Sequence, residues 1–167
     1  MASNGKTDKS DGGSGNKIES QYSELGKKHS LPPFSYMEQD FDLHEIDCEV
    51  LTAKDIRKVV SEKMDHVAKL LEEVLQPDTH IASIYESKAL DEDEKKQAFS
   101  TYRKLMKLYR KASELSISSV ESEDAAFVRE AFDFWSNSRE DIKKIMRRLQ
   151  ESWESDIEQQ DSQAYFG

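Results

Sequence analysis

The stretch TAKDIRKVVSEKMDHVAKLLEEVLQP, residues 52–77, decides the fold. Ile56, Val59, Val60, Met64, Val67, Leu71, Val74 and Leu75 recur at helical spacing and share one face. Lys58, Glu62, Asp65, Lys69 and Glu72 take the opposite face, which is the pattern of an amphipathic helix. Thr52 stands at the N-cap, and Asp55 follows three residues later in capping-box position. Pro77, which has no N–H to donate, stops the helix. One apolar stripe on one helix demands other helices to cover it.

The downstream sequence supplies them. Asp78 or Thr79 is placed to cap a short helix through Ile81, Ile84 and Tyr85 that ends near Ala89. Asp91 with Glu94 repeats the cap signal. The helix after it runs to about Leu115, with Ala98, Tyr102, Leu105, Met106, Tyr109 and Ala112 inward. Ser116 to Ser122 reads as a loop with Ser122 as the next cap. The last helical region carries Val128, Ala131, Phe132, Trp135, Ile142, Ile145, Met146, Leu149, Trp153 and Ile157, with Phe127 and Phe134 spilling off its edge. Ser136-Asn137-Ser138, with Asp141 three residues on, leaves open whether this is one helix or two.

Upstream the pattern fades. Residues 1–31 are rich in Ser, Gly, Asn, Lys and Asp and read as a disordered tail. Residues 32–51 interleave aromatic and aliphatic residues with carboxylates, with no clean 3.6 period, and read as an extended acidic-aromatic arm with at most a short helical turn. The bundle is expected over 52–160 and a frayed C-terminal tail over 161–167. The fold class is therefore all-α: a small antiparallel bundle of three long helices and one short one.

Glycine usage narrows the chemistry. The six glycines are Gly5, Gly12, Gly13, Gly15, Gly26 and Gly167, so none lies between Lys27 and Phe166. Dinucleotide-binding folds and phosphate-binding loops need glycine-rich turns, and tight β-hairpins need residues at positive φ. The single cysteine, Cys48, forms no intramolecular disulfide and no cysteine-based zinc site. No stretch has the length and apolarity of a signal peptide or a membrane span, so the expected location is cytoplasmic.

The net charge of −10 is unevenly spread over the 167 residues. Residues 31–52 hold six acidic groups and no basic one, residues 53–149 hold 19 of each sign, and residues 150–167 hold five acidic groups and no basic one. Within the neutral body, Lys95 to Lys111 holds seven basic residues and no acidic one. Arg103, Lys104, Lys107, Arg110 and Lys111 fall within about 120° of helical arc, the first candidate binding face. A second basic cluster is Lys143, Lys144, Arg147 and Arg148. The arm offers Phe34, Tyr36, Phe41 and Leu43 as candidate docking residues. Its charge suggests that it packs on the basic helix of its own chain or of a second copy; the plainer alternative is that it completes the core.

Catalytic motifs are lacking. None of His29, His44, His66 and His80 has a Glu three residues before it, as a di-metal bundle requires. The cluster His44, Glu45, Asp47 and Cys48 has no spaced second half, and nothing nominates a base for Cys48. The expectation is a non-catalytic helical protein-interaction module without cofactor or metal, with a protein partner or a second copy as its target. The alternative is a nucleic-acid-associated accessory protein whose basic helix contacts phosphates.

Overall fold

The computed structural model describes residues 13–77, 80–118 and 120–164, with side chains over 17–77, 80–118 and 120–154. Among these residues the chain is helical with no strand. In chain order the elements are α1 (Gly13–His29), α2 (Phe34–Phe41), a 3₁₀ turn (Leu43–Glu45), α3 (Ala53–Leu75), α4 (Ile81–Ser87), α5 (Glu92–Ser118) and α6 (Glu121–Ala164). The all-α bundle stands, with more helices than the sequence pattern suggested.

Three long helices form its centre: α3 packs on both α5 and α6, and α5 packs on α6. The Thr52–Asp55 capping box is formed in both directions. Ile56, Val60, Met64, Leu71 and Val74 are each exposed by no more than 2%. They meet Ala98, Leu105 and Ala112 of α5 and Val128, Ala131 and Ile145 of α6 in one apolar core. Arg57 is also inside. Its side chain donates to Asp124 at 2.6 Å and to the Ala112 carbonyl at 2.8 Å, joining all three central helices. Asp124 lies near the N-terminus of α6, where the helix dipole favours a carboxylate.

The N-terminal expectation is corrected. Residues 13–29 are helix, and Ile18, Tyr22 and Leu25 are buried in the core. Spaced i, i+4, i+7, these three residues make a narrow apolar stripe that becomes stable once it has a surface to cover. Polar bonds then hold α1 in place. Tyr22 Oη donates to the Pro32 carbonyl at 2.7 Å, and the Gln21 amide both donates to the Glu49 carbonyl and accepts from Leu51 N–H. The helix ends at Ser30 in the left-handed region, with Leu31 N–H bonded back to Gly26, a Schellman-type closure. Residues 1–12 of the expected tail lie outside the described residues.

The arm is likewise not extended. Pro33 precedes α2, whose Met37 and Phe41 are buried. Leu43 is fully buried after the chain reverses at Asp42, φ 52°. The serine-rich loop is shorter than expected, because α5 runs on to Ser118 and α6 starts at Glu121, placing Ser122 inside α6 rather than at its cap. Helix α6 passes through Ser136-Asn137-Ser138 without a break, since Trp135, Ile142 and Ile145 on either side are all drawn into one core. At ~1.5 Å per residue its 44 residues span about 65 Å. It continues to Ala164, into the stretch expected to fray; residues 165–167 lie outside the described residues. The expected caps Asp78 and Thr79 also fall outside them. In α4, the short helix expected through Ile81, Ile84 and Tyr85, Ile81 and Ile84 point outward at 84% and 40% exposure. Tyr85 holds α4 to α6 by donating to the Ser152 carbonyl at 2.6 Å.

Candidate functional site

The candidate surface is built on α5, so its construction starts at the cap. Asp91 accepts from the N–H groups of Asp93 and Glu94, while Glu94 accepts from Asp91 N–H. Those bonds, Glu94's first, hold the Asp91 carboxyl below the usual carboxylate range, although partial burial opposes them. Glu92, Asp93 and Glu94 place negative charge in the first turn, where the dipole welcomes it. The basic run then begins.

The inward residues of α5 are Ala98, Thr101, Leu105, Leu108, Ala112 and Leu115. The stripe is rotated slightly from the expected one: Thr101 and Leu108 are buried, and Tyr102, Met106 and Tyr109 sit half-buried at its edge. The opposite side carries Arg103, Lys104, Lys107 and Arg110, all exposed, with Lys111 half-buried beside them. Lys111 pairs with Glu130 of α6. Among the described residues no carboxylate comes within 4.0 Å of Arg103, Lys104, Lys107 or Arg110. Two of these cations rest on aromatic rings instead. The Arg103 guanidinium lies 6.0 Å from the Phe99 ring centre and that of Arg110 lies 5.7 Å from Tyr109.

Phe99 is the residue that sequence reasoning missed. It is 51% exposed and stacks on Tyr102, with centroids 6.4 Å apart and planes 24° from parallel. Both rings line a cleft of about 340 Å³ between α5 and the C-terminal end of α3, floored by Leu75 and rimmed by Glu72, Gln76, Glu92, Lys95 and Lys96. Burial, and then the neighbouring Glu72 carboxylate, push the Tyr102 phenol up. On a 100° wheel Phe99 falls about 20° beyond Arg110, at the edge of the basic arc, so its outward placement was available from the same wheel that located the cations.

The acidic arm does not cover this surface. Asp40 is bound by Arg139 of α6, at 2.8 and 3.2 Å from one nitrogen, and Glu38 is engaged by His44. The aromatics of the arm serve the core. Phe41 and Leu43 are buried, Phe41 meets Trp135 at 5.6 Å, and Phe34 stands edge-on to Tyr22 at 5.3 Å. Of the four proposed docking residues, Tyr36 alone is exposed, at 58%. The plainer alternative, an arm that completes the core, describes what is observed. The reason is geometric: α1, adjacent in the chain, gives the arm an apolar bed, and the fold brings Arg139 of α6 to Asp40 from 99 positions away.

The second basic cluster divides between two sides of α6. Lys143 and Arg147 line an open groove of about 520 Å³ with Lys63 and Arg139 over Trp135, Ile142 and Met146. Arg148 faces α5, 3.5 Å from Glu94, and donates to the Ala89 carbonyl. The cluster therefore does not merge with the open face of α5. Phe127, expected at the edge of the stripe, is fully buried.

No group of three or more potential metal ligands gathers among the described residues. Burial first, and then Asp55, push the Cys48 thiol up, the wrong direction for a reactive thiolate. No helix among the described residues is long and apolar enough to cross a membrane. Comparison with known protein families, with characterised proteins and with solved structures finds no match.

Proposed function

We propose that this chain is a cytoplasmic, non-catalytic helical protein-interaction module whose working surface is the outward face of α5, and that the face receives an acidic, partly apolar segment of a protein. The observation that carries this reading is the set of four exposed cations without carboxylate partners among the described residues, Arg103, Lys104, Lys107 and Arg110, set beside an exposed phenylalanine. Unpaired exposed cations steer an acidic partner and set register, while Phe99, Tyr102 and Leu75 supply the apolar anchor that charge alone lacks.

The test is binding of labelled poly-glutamate, read by fluorescence anisotropy at low salt. The wild-type chain should bind saturably, and Lys107→Glu with Arg110→Glu should abolish binding while the helical circular dichroism is kept. Equal binding by both proteins rejects the reading.

A second reading has its own observation in favour. Phe99, Tyr102 and Arg103 together form an aromatic and basic platform of the kind on which single-stranded nucleic acid stacks. It predicts that a mixed-sequence single-stranded oligonucleotide outcompetes poly-glutamate for the same face, with affinity falling steeply as salt rises. Failure to compete removes it.

A further inference from the structure

Resting on the reading of α5 as the working surface, we infer that the acidic segment it receives is residues 154–167 of a second copy of this chain, exchanged reciprocally in a dimer. Helix α6 is the longest element among the described residues. Of its described side chains Leu149 is the last buried in the core, and Tyr85 and Glu86 of α4 brace the helix at Ser152 and Trp153. Beyond that brace the backbone stays helical to Ala164.

Helices α5 and α6 run antiparallel, as the pairs Lys111–Glu130 and Arg148–Glu94 show. The extension of α6 is therefore directed past the N-terminal end of α5, and a continuous helix does not turn back onto its own chain. A second copy offers the cationic face that this end lacks.

The two surfaces are complementary in charge and in apolar content. From Glu154 onward the chain carries Glu154, Asp156, Glu158 and Asp161, with no basic residue, and the apolar residues Ile157, Tyr165 and Phe166. The α5 face carries cations unpaired among the described residues and a cleft walled by Phe99, Tyr102 and Leu75. The cationic run from Lys96 to Lys111 is about 22 Å long, enough to seat the helical stretch 154–164, about 16 Å at ~1.5 Å per residue. Exchange in both directions uses each surface once per copy and closes as a two-fold dimer rather than growing into a filament.

Light scattering coupled to size-exclusion chromatography over a range of protein concentrations tests this. The full chain should shift from monomer to dimer as concentration rises, and the dimer should dissociate in high salt. Asp156→Lys, Glu158→Lys and Asp161→Lys together should leave a monomer, as should Lys104→Glu, Lys107→Glu and Arg110→Glu together. Combining the two sets in one chain should restore the dimer, an outcome that misfolding does not produce. Phe99→Ala should weaken the dimer at least tenfold without changing helicity. A monomer at every concentration, or a dimer indifferent to the acidic substitutions, overturns the proposal. If the wild-type chain then still binds poly-glutamate through Lys107 and Arg110, the interaction face stands and only its occupant is wrong; if it does not, both fall.

Discussion

Arg57 and Arg103 lie on neighbouring helices of one bundle, and the structure treats them oppositely. Arg57 is 3% exposed, with Asp124 and the Ala112 carbonyl as its partners. Arg103 stands in solvent over the ring of Phe99 with no carboxylate in reach among the described residues. The contrast extends to whole regions. Around the seam of α1, α2 and α6, Lys28 meets Glu121 at 2.8 Å, Arg139 meets Asp40, and Arg129 donates to the His29 carbonyl. Along the outer face of α5 four cations have no such partner among the described residues. The cations at the seam hold the structure, whereas those on the outer face of α5 stand in one run, open to solvent, placed to meet something else.

The sharpest way to break this comparison is to remove one charge of each kind. Arg57→Ala leaves the Asp124 carboxylate buried without its partner, a change that costs about 3–5 kcal/mol. Chemical denaturation should show that loss, whereas Arg103→Ala should leave the midpoint unchanged. The double substitution Arg57→Met with Asp124→Leu should recover most of the stability, because the cost lies in the orphaned charge rather than in the loss of attraction. A small effect of Arg57→Ala would mean that water reaches the pair and that the distinction between the two arginines is weaker than the geometry implies.

A second contrast concerns α1, which the sequence pattern assigned to a disordered tail. Tyr22→Ala removes a ring that packs on Phe34 and is 2% exposed, at a cost of about 3–5 kcal/mol. Tyr22→Phe keeps the ring and loses the bond to the Pro32 carbonyl, worth about 1 kcal/mol. Urea unfolding of the two variants separates packing from hydrogen bonding. If neither changes stability, α1 is not part of the cooperative unit, and residues 13–29 belong with the expected tail after all.

What the sequence made legible follows from how local each signal is. The cap at Thr52, the stripe of α3, the cap at Asp91 and the basic arc of α5 each depend on residues within a few turns of one another, and all four stand in the structure. The order of α1 depends instead on a distant surface. Ile18, Tyr22 and Leu25 are three apolar residues in a polar stretch, and they are buried in a core shared with Phe34, Leu43 and Leu51. Arg57 was hidden for a related reason. A charged residue on the apolar side of a helix gains meaning only with Asp124, 67 positions away. The candidate face lay between these cases. Its cations and the outward placement of Phe99 were legible on one wheel, but the cleft that Phe99 shares with Leu75 of α3 needed the packing of two helices. The arm misled because its charge pattern fitted two beds equally well, and the one it takes depends on Arg139, 99 positions from Asp40.

The smallest expected effect concerns charges that neither lock the core nor stand free. Asp91 caps α5 and Glu121 begins α6. The first is held below the usual carboxylate range chiefly by the Glu94 N–H, the second chiefly by its hydrogen bond from Lys28. A carboxylate whose folded pKa lies below its unfolded value of about 4 adds stability that is complete above that value. That contribution is lost as pH falls through the folded value. Asn caps a helix about as well as Asp but does not titrate. The difference in melting temperature between the wild-type chain and Asp91→Asn should therefore be flat from neutral pH down to about 5 and should shrink below about 4. Glu121→Gln should behave in the same way through its loss of Lys28. A difference that stays constant through the acid range would show that the Asp91 bonds act by geometry alone. It would also place the cap with the uncharged framework rather than with the ion pairs that distinguish the packed seam from the open face.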